Sequence, residues 1–248
     1  MYSLKLFYPC QEFWVVICLI LMDSQGILYV VATPIGNLGD ITLRAIDILK
    51  EVDLVVAEST SRALKLFNHY GIKNTILSIS SYNEERRSAG IIRSLKGGKK
   101  VALITSAGTP CISDPGSILV SRCVAEDIEI CAVPGACTVA GIVSVSGLFA
   151  DRFVFYGFLP LKKGKRKKTI EELSALPYPV VFYESPRRIE ETLGYVLAIM
   201  GDRKIVVVRE MTKLYETTYR GTVSEVIEQI SAGEKRGEYA FMVAGSKK

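Results

Sequence analysis

From Gly26 onward, short apolar runs alternate with amphipathic segments, and this alternation limits the folds open to the chain more than any other feature. Near-continuous apolar runs are typical of strands buried on both faces, and strands separated by helices pair in parallel. The first half is therefore predicted to form a mainly parallel sheet covered by helices on both faces. Its predicted strands are Ile27–Ala32, Asp53–Glu58, Thr75–Ile79, Lys100–Thr105 and Ile128–Val133.

Two of the intervening segments carry clear helical patterns. In Ile41–Lys50 the apolar residues fall on one helical face, and Asp40 is the expected N-cap. Glu84–Lys96 shows a similar pattern and is followed by Gly97 and Gly98, which are expected to close the helix.

The pattern changes near residues 147–151, where a second series of strands and helices begins. We place a domain boundary here, between an N-terminal α/β domain, 22–147, and a C-terminal α/β domain, 148–248. The run Leu214–Gly221 is polar and is expected to pair antiparallel, which makes the second sheet mixed. The other predicted elements are strands Arg152–Phe158, Pro179–Glu184, Lys204–Glu210 and Glu238–Gly245, and helices Lys165–Leu176, Pro186–Met200 and Thr222–Ser231.

The first 21 residues differ in character from the rest of the chain. Phe13–Met22 consists of ten consecutive apolar residues, whereas a membrane-spanning helix needs about 20. No signal-peptidase site of the A-x-A type follows this run. We expect translation to start at Met22, so that residues 1–21 lie outside the core and the protein is cytoplasmic.

Charge and cysteine content exclude few functions, but they argue against two kinds of site. The formal net charge of +5 permits an anionic partner without requiring one. The six cysteines include no C-x-x-C pair, and His69 is the only histidine, so neither a disulfide framework nor a metal site is expected.

Three loops that follow predicted strands are richer in glycine and proline than a simple turn requires. Glycine lets the backbone approach a ligand closely, and proline stiffens a loop. In open α/β sheets, ligands bind beyond the carboxyl ends of strands. Together the loops indicate a ligand cradle; they are Thr33–Asp40, Ser106–Gly116 and Val133–Thr138.

Several nucleotide-binding and hydrolytic motifs are missing from the sequence. No G-x-G-x-x-G follows the first strand, and neither a P-loop nor a G-x-S-x-G elbow occurs. His69 lies at an apparent helix end, where a cation suits the helix dipole, so we interpret it as structural.

Three acidic residues stand beside predicted strand ends or loops. Glu58 and Glu184 each end a strand, where catalytic carboxylates often lie, although such residues also serve as caps or surface charges. Asp114 is expected to cap the helix that follows it rather than contact a ligand.

Lys162–Lys168, KKGKRKK, contains six basic residues in seven. It follows an aromatic strand, so it suits RNA phosphate contacts beside a stacking surface, although it could be only a solvated loop. The aromatic residues are Phe153, Phe155, Tyr156 and Phe158.

The same loops, in the same order, carry a resemblance to a known family. The segments LYVVATPIGNLGDITLRA, SAGTPCISDPG, VPGACT, GFLPLKKGKRKK, FYESPRR and REMTKLYE run collinearly through the chain. They resemble the tetrapyrrole methylase superfamily and, within it, the ribosomal RNA small-subunit methyltransferase I family. GFLP with its basic cluster, and REMTKLYE, are more specific to the latter.

This resemblance implies both an architecture and an activity. The architecture is two α/β domains of tetrapyrrole-methylase type, with a mainly parallel N-terminal sheet, a mixed C-terminal sheet and a cofactor cleft between them. The activity is 2′-O-methylation of a cytidine ribose in 16S rRNA, with S-adenosylmethionine (SAM) as cofactor, usually by a homodimer. By motif, the implied SAM-binding positions are Pro34, Gly36, Asn37, Gly108, Thr109, Pro110, Ile112, Gly135, Ala136 and Cys137.

The chain departs from the family pattern at a few positions. Ser59 and Ser106 stand where the family usually has Asp, and Ser61 stands where it usually has Arg. Family members also commonly continue into a further helical segment, whereas this sequence ends at Lys248.

Methyl transfer to a ribose hydroxyl needs alignment of the reacting atoms and benefits from a base. Glu58 is the hypothesised base or ribose-orienting group. The hypothesised RNA-binding residues are Arg62, Lys162, Lys163, Lys165, Arg166, Lys167 and Lys168. Two alternatives stay open: methylation of a tetrapyrrole precursor, and a degenerate RNA-binding protein without activity.

Overall fold

The computed structural model describes residues 26–246, and these form two compact units, each with one five-stranded sheet. Of the described residues, the first unit comprises 26–31, 42–106 and 110–134. The second comprises 32–41, 107–109 and 135–246. The predicted N-terminal extension and the start at Met22 lie outside the described residues. The predicted domain boundary near residue 148 stays a prediction; along the chain it lies between the last strand of the first sheet and the first strand of the second.

The first sheet is parallel throughout and has the strand order β3-β2-β4-β1-β5. Helices cover its apolar strands, so that all four residues of Val101–Ile104, for example, are buried. This confirms the parallel α/β prediction. The strands are β1 Ile27–Val31, β2 Leu54–Ala57, β3 Ile76–Ser78, β4 Val101–Ile104 and β5 Glu129–Val133.

Four α-helices connect these strands within the first unit. They carry apolar side chains such as Leu49, Phe67, Ile91 and Leu119 into the core of the unit. The helices are α1 Leu43–Glu51, α2 Thr60–Tyr70, α3 Glu84–Lys96 and α4 Ser117–Ala125. His69 lies in the last turn of α2, as predicted, and Gly71 ends that helix with a positive φ of 63°.

The prediction that Asp40 caps α1 is wrong. Asp40 belongs to a short 3₁₀ helix, Leu38–Asp40, that precedes the α-helix. The Thr42 hydroxyl instead accepts the N–H of Ala45 at 3.1 Å and caps α1. The chain therefore makes one tight turn before the helix begins, which moves the cap two residues downstream.

The prediction that Asp114 caps α4 is also wrong. Gly116 occupies the N-cap and offers no side chain, so the first turn needs an acceptor from elsewhere. Glu84 supplies it: Oε1 accepts the N–H groups of Gly116, Ile118 and Leu119 at 3.0, 2.8 and 3.1 Å. Glu84 is only 4% exposed, so this buried carboxylate joins the start of α3 to the start of α4.

The second sheet is mixed and has the order β6-β7-β10-β8-β9. β6 and β7 are parallel, whereas the other neighbours are antiparallel. This confirms the mixed sheet and the antiparallel pairing of the polar run, which forms β9 from Thr217 onward. The strands are β6 Val154–Phe158, β7 Val180–Glu184, β8 Lys204–Arg209, β9 Thr217–Thr222 and β10 Tyr239–Val243.

Four α-helices among the described residues belong to the second unit, and one face of each of the last three contributes to its core. Phe182 and Phe241 stack at 4.8 Å between ring centroids in the middle of that core. The helices are α5 Thr138–Val145, α6 Lys163–Ser174, α7 Ile189–Met200 and α8 Val223–Ser231. None of the helices within residues 26–246 is both long and apolar enough to cross a membrane.

Replacing Glu84 by Ala is expected to lower the free energy of unfolding by about 3 kcal/mol, because three backbone N–H groups lose their acceptor and a cavity forms. Urea unfolding measures this. Glu126→Ala, at an exposed ion pair with Lys96, is the matched control and should cost less than about 1 kcal/mol. Equal losses for the two variants would show that Glu84 does not anchor α4.

Candidate functional site

A backbone bridge joins the segments that follow β1 and β4. The N–H of Thr33 donates to the Gly108 carbonyl at 2.9 Å, and the N–H of Gly108 donates back to Thr33 at 3.0 Å. Gly108 has a φ of 86°, and a Cβ there would lie 3.1 Å from Cγ2 of Ile35. Glycine therefore serves both the backbone angle and the close approach of the two segments.

The segment after β5 joins the same cluster. The Thr109 hydroxyl donates to the Ala136 carbonyl at 3.2 Å. A Cβ on Gly135 would lie 3.0 Å from Cβ of Ala32. The three glycine-bearing segments thus pack against one another within the second unit, as a shared ligand cradle requires.

The cradle holds most of the positions that the family resemblance implies for SAM. Pro110 and Ile112 belong to the first unit. The positions in the second unit are Pro34, Gly36, Asn37, Gly108, Thr109, Gly135, Ala136 and Cys137. Which of these positions contact a cofactor stays a prediction.

Helix α5 begins directly after the third segment, with Cys137 at its N-cap and no side-chain cap. Its first N–H groups therefore have no acceptor from the capping side chain, and the helix dipole favours a negative group there. Backbone donors of this kind suit an anionic group of a ligand.

Sequence reasoning missed a fourth segment of the second unit that contacts this cluster. The Thr212 hydroxyl accepts the N–H of Asn37 at 3.1 Å, and the Lys213 side chain lies against Gly36. Both residues belong to the REMTKLYE motif, which identified the subfamily but indicated no role.

In the first unit, Glu58 stands at the end of β2 beside the end of β4. Its Oε2 accepts the N–H of Ser106 at 3.1 Å and the hydroxyl of Thr105 at 3.3 Å. These bonds hold the carboxylate in one orientation, and neither of them uses Oε1. A carboxylate held in this way can accept a proton or orient a hydroxyl.

Asp114 lies close to Glu58 and Thr105, and its pKa is raised from 3.8 to about 6. Burial is the main cause, because it disfavours the charged form, and the negative charge of Glu58 raises the pKa further. A hydrogen bond with Thr105 acts in the opposite direction. Thr105 thus connects the two carboxyl groups.

The serine departures from the family pattern have clear local roles. Ser59 caps α2 by accepting the N–H of Arg62, and its hydroxyl lies 3.1 Å from that of Ser61. Ser106 contributes its backbone N–H to Glu58, a bond that does not depend on the side chain. The serines are therefore compatible with the helix start and with the orientation of Glu58.

The basic run forms the start of helix α6 rather than a loop. Arg166 is 2% exposed and donates to the carbonyls of Pro160 and Leu161 and to Glu191 and Thr192. Its guanidinium therefore binds acceptors within the protein, and Arg166 is not proposed as an RNA contact. The other basic residues of the run, and Arg62 on α2, are exposed; in the run they are Lys162, Lys163, Lys165, Lys167 and Lys168.

Aromatic side chains on and beside the edge strand β6 are partly exposed, as a stacking surface requires. Phe153 and Tyr156 are each 39% exposed and Phe158 is 55% exposed. Phe155 and Phe158 lie against Tyr183 in edge-on arrangements.

Glu184, the other strand-end carboxylate, has a structural role. It is 2% exposed, forms an ion pair with Arg188 and accepts the hydroxyl of Thr192 at 2.8 Å. These contacts tie the end of β7 to helix α7.

Comparison with protein families decides how this arrangement is classified. The model of the Tetrapyrrole (Corrin/Porphyrin) Methylases matches residues 27–227, which is most of the chain. The chain belongs to the tetrapyrrole methylase family. It is therefore a methyltransferase, and the methyl donor of this family is S-adenosylmethionine.

Similar curated relatives of this methylase share one name. A protein of Thermotoga maritima is 44% identical over 90% of this chain and 100% of its own length. One of Bacillus subtilis is 44% identical over 90% of this chain and 77% of its own length. Both are named Ribosomal RNA small subunit methyltransferase I.

A solved structure confirms the fold of the methylase. Cobalt precorrin-4 methyltransferase, a cobalamin biosynthetic enzyme, superposes with a TM-score of 0.64. The two are 17% identical, and the match covers 88% of this chain and 94% of the other.

The raised pKa of Asp114 predicts a pH-dependent stability. Between pH 3.8 and about 6 the folded protein binds a proton that the unfolded chain releases, so this group makes the free energy of unfolding fall as pH rises. Asp114→Asn should remove this fall and gain about 1 kcal/mol relative to wild type between pH 4 and pH 7.5, allowing for the partial exposure of the group.

Urea unfolding of both proteins at the two pH values measures this difference. Asp47→Asn, at an exposed position, is the control substitution. A constant difference between wild type and Asp114→Asn at both pH values would contradict the assignment.

Proposed function

We propose that this methylase transfers the methyl group of SAM to the 2′-hydroxyl of a cytidine ribose in 16S rRNA. The observation that carries the proposal is its 44% identity to relatives named as methyltransferases of small-subunit rRNA, over 90% of the chain. The described segments also retain the glycine cradle and an exposed basic and aromatic surface, which suit a cofactor and an RNA respectively.

The cofactor is proposed to bind the cradle of the second unit. The cradle offers backbone donors and closely packed glycines, which admit a ligand against the main chain. Because the sulfonium leaves as a neutral thioether, the protein need not stabilise a charged leaving group. Catalysis then depends mainly on holding the donor carbon and the acceptor oxygen in line.

Glu58 is proposed as the group that accepts the proton of the attacking hydroxyl or orients the ribose. The ribose oxygen forms a bond to the methyl carbon while the carbon–sulfur bond breaks and its electron pair stays on sulfur. The hydroxyl proton passes to the carboxylate. The bonds from Ser106 and Thr105 hold Oε2 in place, so the carboxylate need not reorient during the step.

Glu58→Gln should lower kcat by about 100-fold while SAM affinity changes less than about twofold, because Gln keeps the shape and loses the base. Single-turnover methylation and calorimetry measure the two quantities. An unchanged rate would remove Glu58 from the mechanism.

The RNA is proposed to lie along the exposed lysines of α6. Among the described residues, Lys162 and Lys165 form no ion pair, whereas Lys163 pairs with Glu191 at 2.6 Å. Lys167 lies over the Tyr195 ring. Unpaired lysines beside partly exposed aromatic rings suit a single-stranded segment whose phosphates pair and whose bases stack.

The double variant Lys162→Ala, Lys165→Ala should weaken RNA binding and reduce the slope of log affinity against log salt by about 2, since two phosphate contacts are lost. Filter binding over a salt series measures this. Lys50→Ala with Lys204→Ala removes the same charge from other exposed positions. The same slope in both double variants would contradict this surface.

The protein is further proposed to act in the cytoplasm and as a homodimer, in keeping with an rRNA substrate and with the family. Sedimentation velocity decides the oligomeric state, and a concentration-independent monomer would exclude the dimer.

Transfer of tritium from labelled SAM to small ribosomal subunits lacking this modification tests the function as a whole. Label on one cytidine ribose is the expected result. Label on a tetrapyrrole precursor alone would favour the other methylase activity of this fold, and rRNA binding without SAM binding would indicate a protein that only binds RNA.

A further inference from the structure

The turn Glu210–Lys213, which follows β8, has an unusual backbone. Glu210 and Thr212 have positive φ values of 54° and 66°, although neither is glycine. Such conformations cost of order 1–3 kcal/mol each and persist only where surrounding contacts enforce them. The turn therefore needs a compensating set of contacts, and the structure supplies them.

Side-chain and backbone bonds hold the turn in this shape. The N–H of Thr212 donates to Glu216 at 2.6 Å, and the N–H of Glu238 donates to Oε1 of Glu210 at 2.8 Å. The Lys213 ammonium binds both Glu210 and Glu238 at 2.9 Å. Burial lowers the pKa of Lys213, but these two carboxylates outweigh it and the pKa is raised, so the lysine stays charged.

The turn, held in this shape, contacts the first glycine segment. The Thr212 hydroxyl accepts the N–H of Asn37 at 3.1 Å, while the Asn37 side chain accepts the N–H of Gly39 at 3.0 Å. A Cβ on Gly36 would lie 2.4 Å from Cγ of Lys213 and 3.0 Å from the Thr212 hydroxyl. The stem of Lys213 thus occupies the space that any larger residue at position 36 would need.

The same turn also contacts the helix that follows the third segment. A Cβ on Gly141, in α5, would lie 2.7 Å from the sulfur of Met211. The turn therefore contacts the first segment of the cradle and the helix that follows its third segment, at positions about a hundred residues apart in the chain.

We propose that Thr212 and Lys213 are positioning residues that hold residues 34–37 in the conformation that binds the methyl donor. Thr212 does so through its bond to Asn37, and Lys213 does so through the packing of its stem on Gly36. The role in donor binding rests on the proposed function, in which residues 34–37 contact SAM. Neither residue is assigned a contact with the reacting atoms.

Thr212→Val and Thr212→Ser separate the hydroxyl from the shape of the side chain. Thr212→Val should weaken SAM binding by about tenfold and raise the KM for SAM, because the N–H of Asn37 loses its acceptor. Thr212→Ser should restore most of the affinity. With saturating SAM, kcat and the KM for rRNA should stay within about twofold of wild type.

Thr217→Val is the matched control, because it removes the bond from the Thr217 hydroxyl, at the start of β9, to the Tyr215 carbonyl without reaching the cradle. It should leave SAM affinity unchanged. Equal SAM affinities for wild type and Thr212→Val would overturn the role of the threonine.

A double-mutant cycle tests the lysine. Gly36→Ala should weaken SAM binding, and Lys213→Ala should recover part of that loss in the double variant, because it removes the stem that the new methyl group meets. Strictly additive effects would overturn the role of the lysine.

Amide hydrogen exchange of residues 35–39, without cofactor, distinguishes this inference from the proposed function. If wild type binds no SAM, the proposed function fails. Faster exchange in Thr212→Val than in wild type and Thr212→Ser would still show that the turn holds the segment. Equal exchange in all three proteins would overturn the inference.

Discussion

The two backbone hydrogen bonds between Thr33 and Gly108 are the contact on which the rest of the candidate site depends. They join segments 75 residues apart and use only main-chain groups, so they tolerate many side chains at Thr33 but demand a close approach at Gly108. Because these two segments are paired, Thr109, the residue after Gly108, can donate to the carbonyl of Ala136. This bond adds the third segment to the cluster. A cluster built in this way presents main chain rather than side chains, as a cofactor held by shape and backbone polarity requires.

Buried carboxylates elsewhere in the fold support this arrangement, and each accepts hydrogen bonds from several donors. Glu84 satisfies three N–H groups at the start of one helix, and Glu184 ties a strand end to the next helix through Arg188 and Thr192. Glu58 accepts bonds from Ser106 and Thr105 but is less buried than Glu84 and Glu184. This difference in burial separates the two structural acids from the one proposed for proton transfer.

Local signals predicted the elements well and the contacts between them poorly. Apart from β9, every strand of both sheets was marked by an apolar run, and the polar run that forms β9 was rightly expected to pair antiparallel. The predictions that Asp40 and Asp114 cap helices were wrong, because a capping oxygen must lie near the helix start in the folded chain. Its position along the sequence does not ensure this. Arg166 looked like one more surface charge in a basic run, yet the helical turn directs it inward against Glu191.

The sequence by itself determined the alternation of strands and helices along the chain, the two kinds of sheet and, through its motifs, membership of the methylase family. These follow from periodicity and from residues that lie near one another in the chain. Only the tertiary structure decided that Glu84 caps a distant helix, that Arg166 is internal and that Thr212 holds Asn37. Each of these depends on a hydrogen bond between positions far apart in the chain, 175 residues apart for the last pair. Such a partner is selected by the packing of the folded chain, which no local pattern of residues encodes.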